Sequence, residues 1–119
     1  MASWRKILVA TDFSPPARVA MRSAQALAKQ VRGTLEVVHV VERLPPRRRM
    51  LVGSLGSAGE TRERLSRAEA HLERMLGRLA TPGVAVEGGV RLGRPWEEIL
   101  AAAREVEADL ICLGNSGHS

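Results

Sequence analysis

The chain has 119 residues, a formal net charge of +5 and a single cysteine. This length predicts one domain, and one cysteine excludes an internal disulfide, so we expect a reducing, cytoplasmic environment. The sequence shows neither a secretory signal nor an apolar run near the roughly 20 residues that cross a membrane, so a membrane is not an expected partner.

The first predicted elements are a buried strand and the helix that follows it. Residues 5–11 predict a strand around the apolar run Ile7-Leu-Val-Ala10, and such a run, rich in branched side chains, is typical of parallel strands covered by helices on both faces. Ser14 is suited to cap a helix whose first turn accommodates Pro15. Apolar residues recur at helical spacing as far as Val31, and Gly33 ends this helix.

The middle of the chain contains regular and irregular segments. Residues 34–41 predict a second buried strand, whereas the density of proline and glycine over residues 43–59 predicts a mobile loop. A long helix with one apolar stripe follows over residues 60–80. Alternating valines over residues 84–90 indicate a third strand that is less buried.

A helix and a strand follow this third strand. Pro95 begins the helix, and Glu97 and Glu98 suit the positive end of its dipole. Residues 109–113 predict a fourth strand. The order strand, helix, strand, loop, helix, strand, helix, strand predicts the α/β class, with a doubly wound, open parallel sheet and helices on both faces.

An acid and two glycines follow the first and the last of these strands. Asp12 ends the first strand, and Gly114 and Gly117 follow the last one. Ligands of open parallel sheets bind beyond the carboxyl ends of the strands, where the winding direction reverses. The acid suits a ribose or a base, and flexible backbone N–H groups suit phosphate oxygens. On these residues alone, Asp12 could instead cap the next helix and the glycines could form only a tight turn.

Three further side chains carry weaker signals. His39 lies in a predicted buried strand without a partner at metal-ligand spacing, so we expect a hydrogen-bonded histidine in the core or near the site rather than a metal ligand. His71 is predicted to be exposed on the charged helix. Cys112 lies among apolar residues in mid-strand and is expected to behave as a small hydrophobic side chain.

Four segments of the chain together carry a family resemblance. They are Ile7-Leu-Val-Ala-Thr-Asp12-Phe-Ser14, Leu35-Glu-Val-Val-His39-Val-Val41, Gly93-Arg-Pro-Trp-Glu-Glu-Ile99 and Ala108-Asp-Leu-Ile-Cys-Leu-Gly114-Asn-Ser-Gly117. In this order they resemble the universal stress protein family along the whole chain. The resemblance implies one Rossmann-like domain over residues 1–119, of the adenine nucleotide alpha hydrolase-like type. It also implies the strand order 3-2-1-4-5, with Asp12 beside Gly114.

The same resemblance implies a binding site for an adenine nucleotide, which would be ATP or AMP, alone or with Mg²⁺. The positions that match the adenosine side of the family's site are Ala10, Thr11, Asp12 and Val40. The positions that match its ribose and phosphate side are Leu113, Gly114, Asn115, Gly117 and His118, with Ser119 next to them. No residue is assigned a catalytic or metal-binding role.

The chain departs from the family's nucleotide pattern at its C-terminal end. That pattern has two glycines separated by two residues, then nine residues, then a glycine followed by serine or threonine. Gly114 and Gly117 supply its first half, and the sequence stops at Ser119, before the second half and before the last helix and the fifth strand. We expect an incomplete chain rather than a natural truncation, because an uncovered fourth strand would leave an open sheet edge.

The function that the resemblance implies is an adenine-nucleotide-binding regulatory protein of the stress response, acting as a homodimer. No segment of the sequence resembles a Walker lysine motif or a set of metal ligands. The only enzyme activity that we expect is therefore, at most, slow ATP hydrolysis. The alternative within the family is a homodimeric interaction module that binds no nucleotide. An adenylate-transferring enzyme is disfavoured, because residues 11–16 lack the glycines of its loop.

A cluster of arginines is the remaining candidate feature. Arg43 and the run from Arg47 to Arg49 could close over phosphates or attract RNA. If they bind RNA, the affinity for RNA would fall as the salt concentration rises. A solvated surface is the simpler interpretation, and aromatic content of 3% offers no stacking platform for single strands. The sequence therefore does not favour nucleic acid as a partner.

Overall fold

The computed structural model describes residues 5–42 and 46–114, and the side chains of residues 5–42 and 59–114. Its elements in chain order are β1 (Lys6–Ala10), α1 (Pro15–Val31), β2 (Thr34–Val41), α2 (Pro46–Leu79), β3 (Ala85–Leu92), α3 (Pro95–Glu105) and β4 (Leu110–Leu113). Among the helices of this described part, none is both long and apolar enough to cross a membrane.

The four strands form one parallel sheet in the order β3-β2-β1-β4. This confirms the predicted α/β class and the order of the first four strands. The winding direction reverses between β1 and β4, which places β1 in the interior of the sheet. Ile7, Leu8 and Val9 of β1 are completely buried, as their continuous apolar run predicts.

Helices cover both faces of the sheet. On one face, Ile7 packs in a cluster with Met21 of α1 and Leu72 of α2. On the other face, Leu8 packs with Ala102 of α3. Right-handed crossovers produce this division, because the chain moves towards β3 through α1 and α2 and then back towards β4 through α3.

The prediction of a mobile loop over residues 43–59 is wrong, because α2 already begins at Pro46. Proline fits the first turn of a helix, and a glycine in a helix interior costs only about 1 kcal/mol relative to alanine. These residues weaken a helix but do not prevent one that continues into a long segment packed on the sheet. Arg43 and the side chains of Arg47, Arg48 and Arg49 lie outside the described residues.

Two neighbouring glycines in β3 face opposite sides of the sheet. A Cβ atom at Gly88 would lie 2.6 Å from the carbonyl oxygen of Val37 and 3.1 Å from Cδ2 of Leu76 on α2. A Cβ atom at Gly89 would meet nothing within 4 Å. Close packing between α2 and the sheet therefore requires the glycine at position 88 and not the one at position 89.

We expect Gly88→Ala to lower the free energy of unfolding by about 1–3 kcal/mol, because the added methyl group overpacks the contact with α2. The matched control is Gly89→Ala, which we expect to raise the same free energy by about 0.5–1 kcal/mol through the lower entropy of the unfolded chain. Urea unfolding monitored by circular dichroism measures both values. Similar effects of the two substitutions would contradict this account of the packing.

Two carboxylates face each other across β2 and β3. Glu36 and Glu87 are register partners in adjacent strands, so their side chains lie on the same face of the sheet. Burial raises the pKa of Glu36 above its ordinary value, and the charge of Glu87 adds to this, against a smaller opposing effect of Lys6. Ionisation of Glu36 therefore costs free energy in the folded protein.

The pKa of Glu36 is higher in the folded chain than in the unfolded chain. The free-energy cost of ionising Glu36 is therefore fully present above the pKa of the folded chain and absent below the pKa of the unfolded chain. We expect Glu36→Gln to raise the free energy of unfolding by a few tenths to about 1 kcal/mol near pH 7. We expect no such gain near pH 3, where the carboxyl group is protonated in both states. Denaturant unfolding at both pH values, with the exposed Glu73→Gln as control, checks this; an equal gain from both substitutions would contradict it.

Candidate functional site

A cleft lies at the carboxyl ends of β1, β2 and β4. Its volume is about 370 Å³, which is within the range of small-molecule sites in proteins. The residues that line it are Ala10, Thr11, Asp12, Ala17, Val40, Glu42, Pro95, Ile99, Leu113 and Gly114. The cleft thus lies at the reversal of winding where ligands of such sheets bind.

Most of the predicted site residues come together in this cleft. Six of the nine line it, from three different strand ends: Ala10, Thr11, Asp12, Val40, Leu113 and Gly114. Asn115, Gly117 and His118 lie outside the described residues, as does Ser119. Asp12 and Gly114 share one cleft, as the strand order implies, and their contact with a ligand stays a prediction.

The turn between β1 and α1 fixes the position of Asp12. The backbone N–H of Thr11 donates to the carbonyl oxygen of Val38 at 2.9 Å, which extends the pairing of β1 with β2 by one residue. Oγ1 of Thr11 accepts the N–H of Phe13 at 3.0 Å, and Oδ1 of Asp12 accepts the N–H of Ser14 at 2.9 Å. These bonds close the turn around a carboxylate that is exposed to solvent.

Asp12 does not cap α1. The N-cap is Ser14, whose Oγ accepts the backbone N–H of Ala17 at 3.3 Å, as predicted from the sequence. Hydrogen bonds from the side chain and backbone of Ser14 lower the pKa of Asp12 below its ordinary value. The cleft therefore presents an ionised carboxylate, which acts only as a hydrogen-bond acceptor.

A glycine is required where β4 ends. A Cβ atom at Gly114 would lie 2.8 Å from both the Cα and the N of Ala17, and 2.9 Å from the carbonyl carbon of Pro16. The backbone after β4 therefore approaches the first turn of α1 more closely than any side chain permits. This close approach brings Gly114 into the same cleft as the turn that carries Asp12.

The ring of Phe13 lies between two histidines. Its centroid is 4.4 Å from that of His39 on β2 and 3.9 Å from that of His71 on α2, with the second pair nearly parallel at 12°. Nδ1 of His39 lies 2.7 Å from the carbonyl oxygen of Thr11, so this nitrogen is the donor because a carbonyl oxygen only accepts. His39 is thus hydrogen-bonded near the site, as predicted.

The prediction that His71 is exposed is wrong, because the imidazole is half-buried against Phe13. This contact joins residues on separate elements, and the helical pattern around position 71 gives no sign of it. Phe13 also has a φ of 65°, in the left-handed region that a bulky residue rarely adopts. Neither the contact nor this conformation has a local sequence signal.

Sequence reasoning missed four residues that line the cleft, namely Ala17, Glu42, Pro95 and Ile99. Glu42 follows β2 just as Asp12 follows β1, so the same strand-end argument would have found it. Its backbone carbonyl accepts a hydrogen bond from Nη1 of Arg64 on α2 at 2.7 Å. The described residues of the cleft therefore carry two acidic side chains and no basic one.

Side chains outside the cleft behave largely as expected. Glu97 and Glu98 lie in the first turn of α3, and Glu98 also accepts a hydrogen bond from Nε of Arg91 at 2.9 Å. Cys112 is half-buried, and burial raises the pKa of its thiol, which keeps it protonated. Within the described residues, no group of three or more histidine, cysteine, aspartate and glutamate side chains could hold a metal ion.

Comparison with known proteins identifies the class to which this fold and cleft belong. The model of the universal stress protein family matches residues 3–119, and the chain belongs to that family. A curated relative, a universal stress protein from Methanocaldococcus jannaschii, is 27% identical over 126 residues, which cover 96% of this chain and 78% of the relative.

Solved structures share the fold at lower identity. Universal stress protein UspA from Lactobacillus plantarum superposes with a TM-score of 0.78 at 23% identity, over 99% of this chain and 84% of that one. A universal stress protein in complex with cAMP superposes with a TM-score of 0.66 at 18% identity, over 98% and 80% of the two chains. At these identities the superpositions show the fold alone.

Proposed function

We propose that this chain binds an adenine nucleotide, ATP or AMP, in the cleft at the strand ends and acts as a cytoplasmic regulatory protein of the stress response. The observation that carries the proposal is that six predicted contact positions, from three strand ends, line one cleft. A family member of the same fold has been solved in complex with cAMP, which is itself an adenine nucleotide.

The residues of the cleft fit the nucleoside part of such a ligand. The carboxylate of Asp12 would accept hydrogen bonds from ribose hydroxyl groups, because an ionised carboxylate has only acceptors to offer. Val40 and Ile99 provide apolar surface suited to a purine ring. The backbone at Gly114, which no side chain covers, would let the ribose and the first phosphate approach closely.

Thermal unfolding tests the proposal directly. A ligand present at about 100 times its dissociation constant stabilises the folded chain by about 2.7 kcal/mol, or roughly 10 °C in Tm for a domain of this size. We expect ATP, ADP, AMP or cAMP to produce such a rise. Absence of a rise with all four nucleotides would reject nucleotide binding.

A matched pair of variants assigns that rise to the cleft. We expect Asp12→Asn to reduce the nucleotide-dependent rise in Tm, because the amide keeps an acceptor for the N–H of Ser14 but loses the charge. Asp109→Asn is the control, since Oδ2 of Asp109 accepts the N–H groups of Arg5 and Lys6 at the opposite end of β1, each at 2.9 Å. An equal reduction in both variants would place the nucleotide elsewhere.

The assembly that we propose is a homodimer formed through α3. Trp96 and Leu100, one turn apart on α3, are 64% and 41% exposed. Large exposed apolar side chains that lie together on one helix favour association with another chain.

We expect Leu100→Glu to weaken self-association at least tenfold, because a carboxylate would be buried in the interface. The control is Val19→Glu, which changes a side chain on α1 that is 58% exposed. Sedimentation equilibrium over a range of concentrations measures both, and a parent chain that stays monomeric throughout would contradict the dimer. A dimer that shows no nucleotide-dependent rise in Tm would favour the alternative, an interaction module that binds no nucleotide.

A further inference from the structure

Helix α2 contacts the two chain segments that border the cleft. His71 stacks on Phe13, which follows Asp12, and Arg64 donates to the backbone carbonyl of Glu42 at 2.7 Å. Arg64 and His71 are seven residues apart, about two helical turns, and therefore lie on the same face of α2. One face of α2 thus contacts the side chain of the residue after Asp12 and the backbone of Glu42.

The turn at Phe13 depends on support from outside itself. A φ of 65° is disfavoured for a residue with a bulky side chain, by about 1–2 kcal/mol. The N–H of Phe13 bonds to Oγ1 of Thr11, and the ring is held between His39 and His71. If one of the flanking rings is removed, a contact that offsets the cost of this backbone conformation is lost.

The conformation of Phe13 in turn determines where Asp12 lies. The two residues share a peptide bond, and Oδ1 of Asp12 bonds to the N–H of Ser14 on the far side of Phe13. Rotation of the backbone at Phe13 would therefore break this bond and release the carboxylate from its position in the cleft. The same hydrogen-bonding partner holds the pKa of Asp12 low, so the state of the turn can be measured without a ligand.

We propose that His71 is a positioning residue for Asp12, acting through the stack on Phe13, and that Arg64 has the same role for the backbone at Glu42. The proposal rests on the proposed function for what the cleft binds. It goes beyond that function because it gives α2, which contributes no side chain of residues 59–79 to the cleft, a role in ligand affinity. By reciprocity, a ligand held by Asp12 would tighten the contact with α2.

The first experiment needs no ligand. The carboxyl titration of Asp12, followed by NMR, reports on its bond to Ser14. We expect His71→Ala to raise the pKa of Asp12 towards its ordinary value, and His71→Phe, which keeps a stacking ring, to leave it low. Arg67→Ala is the control on the same helix, because Arg67 is exposed and pairs only with Glu63 among the described residues.

The second experiment measures AMP affinity by calorimetry. We expect His71→Ala to weaken AMP binding about threefold to tenfold, and His71→Phe to restore it, because stacked aromatic pairs contribute about 0.5–1.5 kcal/mol. Arg64→Ala would weaken binding similarly and Arg67→Ala would not. In a Phe13→Gly background, where glycine adopts the turn without strain, His71→Ala would have no further effect.

Each outcome bears on one proposal. If the parent chain binds no AMP but His71→Ala raises the pKa of Asp12, the proposed function fails and the positioning role stands. If His71→Ala leaves both the pKa of Asp12 and the AMP affinity unchanged, the positioning role is overturned even though AMP binds. If His71→Ala does not fold, the comparison of Phe13→Gly with Phe13→Gly/His71→Phe decides, and a change in affinity between them would overturn action through Phe13.

Discussion

The pairing of β1 with strands on both sides is the interaction on which the cleft depends. Strand β2 continues to Val41, but Ala10, the register partner of Val38 in β2, is also the partner of Leu113 in β4, so β1 and β4 end at the same level. The residues that follow them must then emerge side by side. A shift of one residue in either pairing would turn alternate side chains to the opposite face and separate the groups that line the cleft.

The strands could be predicted from sequence because they depend on strong local signals, whereas their order in the sheet was predicted from the family resemblance. The apolar run of β1 identified a strand buried on both faces, and β2 has the predicted bounds, Thr34–Val41. The start of α2 could not be predicted in the same way. Proline and glycine are reliable markers of loops on average, but Pro46 stands in the first turn of α2, where proline is tolerated, and each interior glycine costs only about 1 kcal/mol, which the continuation of a long packed helix outweighs.

The candidate site likewise contains residues that the sequence predicts and residues that it does not. Asp12 and Gly114 could be predicted because both follow strands of a parallel sheet, and the strand order implied by the family resemblance places those two strand ends side by side. The stack of His71 on Phe13 joins residues 58 positions apart through the angle at which α2 crosses the sheet. No periodic pattern encodes that angle, so residues that support the site from a neighbouring element stay hidden until the packing is known.

The start of α1 shows how one local device limits the chemistry of the cleft. A helix N-terminus is ordinarily an anion site because its first N–H groups are free. Here Pro15 and Pro16 have no N–H, while the N–H groups of Ala17 and Arg18 donate to the side chain and the carbonyl of Ser14.

The first turn of α1 therefore has few free N–H groups that could bind a phosphate. The carboxylates of Asp12 and Glu42 act in the same direction, since they repel a polyphosphate in proportion to its charge. In the proposed complex, the described strand ends would hold the nucleoside. Recognition of each further phosphate would then fall to groups beyond Gly114 or to a cation that accompanies the nucleotide, and a monophosphate would need this help least.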